Sequence, residues 1–280
     1  MLLDLIDVFG SGPLSGNPLA VVRGCEGLDD AEMLRLTRWL GFSETTFLLP
    51  PTQLDADYRV RIFYPAGELP FAGHPTLGSA HAWLAAGGVP KCAGRVVQEC
   101  GVGLVEVRER ENGRLAFRAP PLVRSGPLDA DDLAETLRLT GADEAALIAG
   151  VHASNGPGWK LLHLASSDAV LAAQPASRAD PGTDVAVLGP CAPGGTAQFE
   201  VRAFFADASG RIVEDPVTGS LNAAVAQYLF AQNLASGNYV AAQGRMTGAN
   251  GLVHCSQEAD GEVWIAGRVE TVSKNGALFS

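Results

Sequence analysis

The 280-residue sequence predicts an α+β fold of two strand-rich halves, each wrapped about a central helix. Three observations predict it. VRIFYPAGELPFAGHPTLGSAHAWL (60 to 84) repeats without a gap as VRAFFADASGRIVEDPVTGSLNAAV (201 to 225) at a constant offset of 141 residues. The helices in these windows carry Leu, Ala, Gly and Trp on every side and no wide charged face, the pattern of a helix buried all round. Short strand-like runs precede and follow each window.

The elements follow in order. MLLDLIDV alternates like a strand. DDAEMLRLTRWLG (29 to 41) opens with an Asp29 cap and Glu32 three residues later, keeps Met33, Leu36 and Leu40 on one stripe, and stops at Gly41; it predicts a surface helix. SETTFLLP (43 to 50) is a strand, and it is matched at an offset of 140 by TDVAVLGP (183 to 190), with Glu44 on Asp184. In the repeated window, the offset of 141 puts Arg61 on Arg202, Phe63 on Phe204, Pro75 on Pro216, Gly78 on Gly219, Ser79 on Ser220 and His74 on Asp215. Buried helices are expected over 76 to 86 and 217 to 230. Strands are expected over 95 to 109, 114 to 119, 160 to 165 and 263 to 272, and DDLAETLRLTG (131 to 141) is the counterpart of the first surface helix. The expected domains are 1 to 119, completed by about 266 to 280, and 120 to 265, with the boundary in APPLVRSGP.

The composition excludes several classes. Twenty Lys and Arg stand against 31 Asp and Glu, a net charge of −11, and no run of basic residues offers a nucleic-acid surface. No membrane span and no export signal are expected. Five cysteines, odd in number and never spaced C-x-x-C, fit a reduced cytoplasmic compartment. No H-x-H or H-E-x-x-H occurs, so no metal is expected. Nucleotide-binding G-x-x-x-x-G-K-[ST] and G-x-G-x-x-G signatures and a G-x-S-x-G elbow are missing.

The two turns that open the central helices carry the functional expectation. A helix that starts after a Gly/Pro turn offers unpaired N–H groups and the positive end of its dipole to an anion, and a small carboxylate is the natural guest. Taken alone, His74 and Asp215 read as turn or cap residues before Pro, Ser220 as a helix-start serine, and Glu44 as a solvent-facing strand residue.

Read together, F-A-G-H-P-T-L-G (71 to 78), E-D-P-V-T-G-S (214 to 220), S-E-T-T-F (43 to 47) and G-N-P-L-A-V-V (16 to 22) resemble the PhzF family of phenazine-biosynthesis-like proteins along the whole chain. The resemblance implies a diaminopimelate-epimerase-like fold, two barrel-like domains each around a central helix, with the active site between them. It implies a cofactor-independent isomerase that shifts a proton on a small cyclic or unsaturated carboxylic acid, with Glu44 as general acid/base. His74, Asp215 and Ser220 then line the site, and the backbone at Gly73 and Gly219 holds the substrate carboxylate. Burial against Phe42 and Phe47 is the expected device for raising the affinity of Glu44 for its proton. A homodimer is expected from the same likeness. A two-thiol racemase is set aside because neither turn contains a cysteine. The alternative is a catalytically silent family member that binds a small molecule or a protein.

Overall fold

The computed structural model describes residues 1–279, and the chain divides into two compact units. Unit 1 comprises Met1–Arg118 and the chain from Ala266 onward, and unit 2 comprises Ala119–Ile265.

In unit 1, β1 (Leu2–Val8), β2 (Asn17–Arg23), β3 (Thr45–Leu49) and β4 (Tyr58–Tyr64) are joined by α1 (Asp30–Leu40). A short β5 (Gly67–Leu69) then leads into α2 (Gly73–Ala85), followed by β6 (Arg95–Cys100), β7 (Gly103–Glu109) and β8 (Leu115–Arg118). The last strand of the chain, β18 (Val269–Ala277), pairs antiparallel with β1, so unit 1 is closed by both ends of the sequence. The single strand expected over 95 to 109 is a hairpin, because Gly103 sits at a φ of 102°, where only glycine turns cheaply.

The sheet wraps around α2, which packs against β1, β2, β3, β4, β6, β7, β8 and β18, while α1 lies on the outer face against β3 and β4. The polar groups of α2 are met inside the sheet. Thr76 Oγ1 accepts from Gln98 Nε2 at 3.0 Å, Gln98 Oε1 accepts from Tyr58 at 2.8 Å, and Ser79 Oγ donates to Thr46 Oγ1 at 2.9 Å. A buried hydroxyl left unpaired there would cost about 1–3 kcal/mol. At mid-helix Gly78, an added Cβ would stand 2.5 Å from Leu19 Cδ2 and 3.1 Å from Val8 Cγ2. Gly78→Ala is therefore expected to destabilise the protein by about 1–3 kcal/mol through overpacking, against a gain of about 1 kcal/mol in helix propensity. Urea unfolding checks the sign, and an equal or raised midpoint would refute it.

Unit 2 repeats the plan. It runs β9 (Arg124–Pro127), α3 (Ala130–Thr140), β10 (Leu147–Ser154), β11 (Lys160–Leu164), α4 (Ser167–Ala172), β12 (Asp184–Pro190), β13 (Phe199–Ala206), β14 (Ile212–Asp215), α5 (Gly219–Ala231), β15 (Asn238–Gln243) and β16 (Gly251–Gln257). In β17 (Val263–Gly267) the chain passes back to unit 1. Leu139, Leu162, Leu164, Val170, Val185, Val187 and Phe204 form a buried cluster on the α3 and α4 side of the sheet. The buried helix α5 packs against β10 and β16.

The duplication is visible in the ladders. Leu48 faces Val60 in unit 1, and Leu188 faces Val201 in unit 2. In each unit an arginine on the long strand grips a glutamate on the short one: Arg61 grips Glu68, and Arg202 grips Glu214 through Nε at 2.9 Å and a terminal nitrogen at 2.8 Å. Both guanidinium groups also stack over the phenylalanine two residues on, Phe63 and Phe204, at 5.0 and 4.9 Å.

The gapless alignment nevertheless fails at the hairpin. Arg61 and Arg202 lie 141 residues apart, but their partners Glu68 and Glu214 lie 146 apart, because the second hairpin is five residues longer. Its extra turn is held by Asp207 Oδ1, which accepts from Ser209 N, Ser209 Oγ and Arg211 N. From there on, His74 corresponds to Ser220 and Gly73 to Gly219, each pair opening its helix, while Asp215 corresponds to Leu69. The coincidence of Ser79 with Ser220 is accidental: the first is buried in mid-helix and the second is a first-turn residue.

Candidate active site

The helix starts differ in one respect. The N-termini of α1, α3 and α4 are capped by the side chains of Asp29, Asp129 and Ser166, whereas α2 and α5 have no side-chain cap. Ala72 at the head of α2 has nothing to offer, and Thr218 at the head of α5 turns its hydroxyl to Asp215 Oδ2 at 2.6 Å. Pro75, third in α2, removes an N–H that the helix could not have paired. The first turn of α2 is buried from Gly73 onward, so the N–H groups of Gly73 and His74 stand at a sheltered, positive helix end.

Glu44 precedes β3 on the side of the strand that carries Thr46 toward α2, and His74 is the second residue of that helix. Their side chains meet with Nε2 of His74 3.6 Å from Oε2 of Glu44. His74 is 4% exposed, its Nε2 makes no hydrogen bond, and burial pulls its pKa down from 6.5 to about 3. The imidazole is therefore neutral at working pH. The approach is a polar contact longer than a hydrogen bond, not an ion pair. Phe47, expected beside Glu44, points the other way and packs edge-on to Phe63 at 5.5 Å in the core under α1. His74 stands beside the Glu44 carboxylate instead.

In unit 2, Asp215 ends β14 and Ser220 is second in α5. Thr218 ties Asp215 to a buried amide network: its N–H donates to Gln243 Oε1 at 3.0 Å, Gln243 Nε2 donates to Thr218 Oγ1 at 3.0 Å and to the Asp215 carbonyl at 3.2 Å, and Asn222 Nδ2 donates to Gln243 Oε1 at 2.8 Å. Ser220 is held by Asn155 Nδ2, which donates to its carbonyl at 2.8 Å, and by the Trp159 indole, which donates to its Oγ at 3.4 Å. Gln243, Asn155 and Trp159 escaped the reading of the sequence. They lie 25, 65 and 61 residues from their partners, and no motif spacing links them.

Every described cysteine is free, and none stands at the start of α2 or α5. Burial pushes Cys25 up to about 11 and Cys255 up to about 12, which leaves both as inert thiols. Among the described residues, no helix is long and apolar enough to cross a membrane.

Comparison with known proteins places the chain in a family. The family model for phenazine biosynthesis-like proteins, PhzC-PhzF, matches residues 6–275. The chain is 35% identical over 282 residues to the trans-2,3-dihydro-3-hydroxyanthranilate isomerase of Pseudomonas aeruginosa, covering 99% of this chain and 96% of that one. It is 32% identical over 237 residues to antisense-enhancing sequence 1 of Schizosaccharomyces pombe, covering 80% and 78%. Among solved structures, a predicted epimerase from Pseudomonas aeruginosa superposes with a TM-score of 0.80 at 28% identity over 100% of this chain and 99% of that one. A probable proline racemase from Agrobacterium radiobacter shares the fold alone, with a TM-score of 0.58 at 16% identity over 99% and 93%. The chain belongs to the phenazine biosynthesis-like PhzC-PhzF family and is an isomerase of that type.

Proposed function

We propose that the protein is a cofactor-independent isomerase that moves a proton between two carbons of a small cyclic or unsaturated carboxylic acid, with Glu44 as the group that carries it. The observation that supports this reading most is the meeting of Glu44 with a buried, neutral His74 at the uncapped start of α2. With a pKa of about 3, His74 is almost never protonated near neutrality, so of the two groups only the carboxyl can both take and return a proton. The Glu44 carboxylate removes a proton from carbon, and the electron pair left behind spreads through the conjugated system onto the carboxylate of the ligand. The same proton then returns from the Glu44 carboxyl to a second carbon of that system. No electrons are gained or lost.

The helix N–H groups at Gly73, and by the same logic at Gly219, suit the ligand carboxylate, where negative charge grows during the transfer. His74 Nε2 orients the carboxyl or the bound acid. Asp215, held by Thr218, and Ser220, held by Trp159, complete the assignment as proton-orienting and substrate-binding groups.

Incubation in deuterated water with a panel of cyclic and unsaturated carboxylic acids tests the reading. Deuterium is expected to enter the carbon skeleton of the accepted acid. Binding without exchange across the panel would instead favour a silent binding protein. The reading includes a homodimer in a reducing cytoplasm, in keeping with the free cysteines. Sedimentation equilibrium is expected to give twice the 29.1 kDa chain mass.

A further inference from the structure

An acid stands at the same place in the strand ladder of both units, and in both the second residue of the central helix carries a polar side chain. In unit 1 the ladder pair Thr45–Phe63 is preceded by Glu44, and in unit 2 the equivalent pair Val185–Phe204 is preceded by Asp184. Val185 and Val187 point into the cluster under α3 and α4, so period-two alternation turns Asp184 and Ala186 toward the α5 side, as Glu44 and Thr46 turn toward α2.

The side chains differ in reach. Asp184 is a methylene shorter than Glu44, and Ser220 is far smaller than His74. The two are linked instead through residues 154–159: Gly158 N–H donates to Asp184 Oδ2 at 3.1 Å, and the next residue, Trp159, donates its indole N–H to Ser220 Oγ. Asn155, 8% exposed, holds the Ser220 carbonyl with Nδ2, while its Oδ1 is buried with no hydrogen bond.

We propose that Asp184 is a positioning residue for Ser220, the unit 2 counterpart of the Glu44–His74 pair, and that its charge state sets how firmly residues 154–159 hold the start of α5. As an ionised acceptor Asp184 makes a charge-assisted bond to Gly158, and as a neutral acid it makes a weaker one.

The surroundings allow that change near neutrality. Burial lifts the Asp184 carboxyl from 3.8 to about 6, and only the Gly158 bond opposes the shift. The ionisable groups on neighbouring elements are engaged elsewhere. Lys160 of β11 is tied to Asp132 and Arg202 of β13 to Glu214; His163 lies farther along β11 against Tyr228 of α5; and Asp215 of β14 is bonded to Thr218. A pKa raised by folding stabilises the protein fully below 3.8, and that contribution is lost as pH rises through about 6. Protonation of Asp184 therefore loosens the hold on Gly158 while itself favouring the folded state.

The kinetic part of the test rests on the reading of Ser220 as a substrate-binding residue, and the spectroscopic part does not. The sequence has four tryptophans, so ¹H–¹⁵N spectra contain four indole signals, and that of Trp159 is the one removed by Trp159→Phe. Should that variant not fold, the signal displaced by Ser220→Ala identifies it. In the wild type this signal is expected to move with a midpoint near pH 6. In Asp184→Asn, which keeps an acceptor for Gly158 but cannot ionise, it is expected to stay still. A Trp159 signal that does not move between pH 5 and 7.5, or that moves equally in Asp184→Asn, overturns the proposal. On an accepted substrate, Asp184→Ala is expected to raise KM several-fold more than it lowers kcat, with Asp184→Asn restoring KM in part, to the value the wild type shows in acid, and giving a KM that no longer varies with pH around 6. An unchanged KM in Asp184→Ala also overturns it. If no acid is turned over, the isomerase assignment fails on its own and the indole titration still decides.

Discussion

Glu44→Gln is expected to lower turnover by about 10²–10⁴-fold on whichever carboxylic acid the enzyme accepts, the range for removal of a positioned general acid/base. The amide has nearly the shape of the carboxyl and keeps its approach to His74, so folding is expected to be unchanged and KM little affected. What is lost is the ability to hold a proton between its removal and its return. His74 cannot take over, because burial keeps it neutral down to about pH 3. Deuterium incorporation in the wild type and its loss in Glu44→Gln would be read by mass spectrometry under the same conditions. A variant with near wild-type exchange would remove Glu44 from the mechanism.

The two duplicated ion pairs are expected to differ sharply in their effect on stability. Arg202 is 3% exposed, and besides Glu214 it reaches the carbonyls of Val170 and Ala173 at 3.2 and 2.7 Å. Removing Glu214 leaves the buried guanidinium without its hydrogen-bonded carboxylate, with only the non-bonded Glu200 nearby, and Glu214→Ala is expected to cost about 3–5 kcal/mol. Arg61 is 16% exposed and has a second carboxylate, Asp30, at 2.7 Å. Glu68→Ala is expected to cost about 0–1 kcal/mol. Urea unfolding of both variants measures the difference, and equal losses would show that burial does not separate the two copies.

Several features needed only local chemistry. The capping boundaries of α1 were legible because Asp29 and Glu32 satisfy each other's backbone within one turn, and Gly41 adopts the left-handed φ of 75° that its place after the helix predicts. The burial of α2 and α5 followed from their lack of a polar face. The offsets of 140 and 141 held through the paired strands, since one slipped residue would turn every buried side chain outward.

The sequence by itself determined the α+β class, the repeated unit, the two buried helices, and Glu44 and His74 as candidates drawn from distant segments. Their meeting at 3.6 Å was decided by the tertiary structure, because it depends on how β3 lies against the start of α2. Chance identities at Pro216, Gly219 and Ser220 carried the gapless alignment past a hairpin that is five residues longer, and only the ladder pairing of Glu68 and Glu214 exposes the shift. Tertiary structure likewise decided the parts played by Gln243, Asn155 and Trp159 and the bond from Gly158 to Asp184. Hydrophobic period and capping chemistry act over a few residues and can be read from the chain, whereas a hydrogen bond between groups some 25 to 65 residues apart exists only once packing has closed the loop between them.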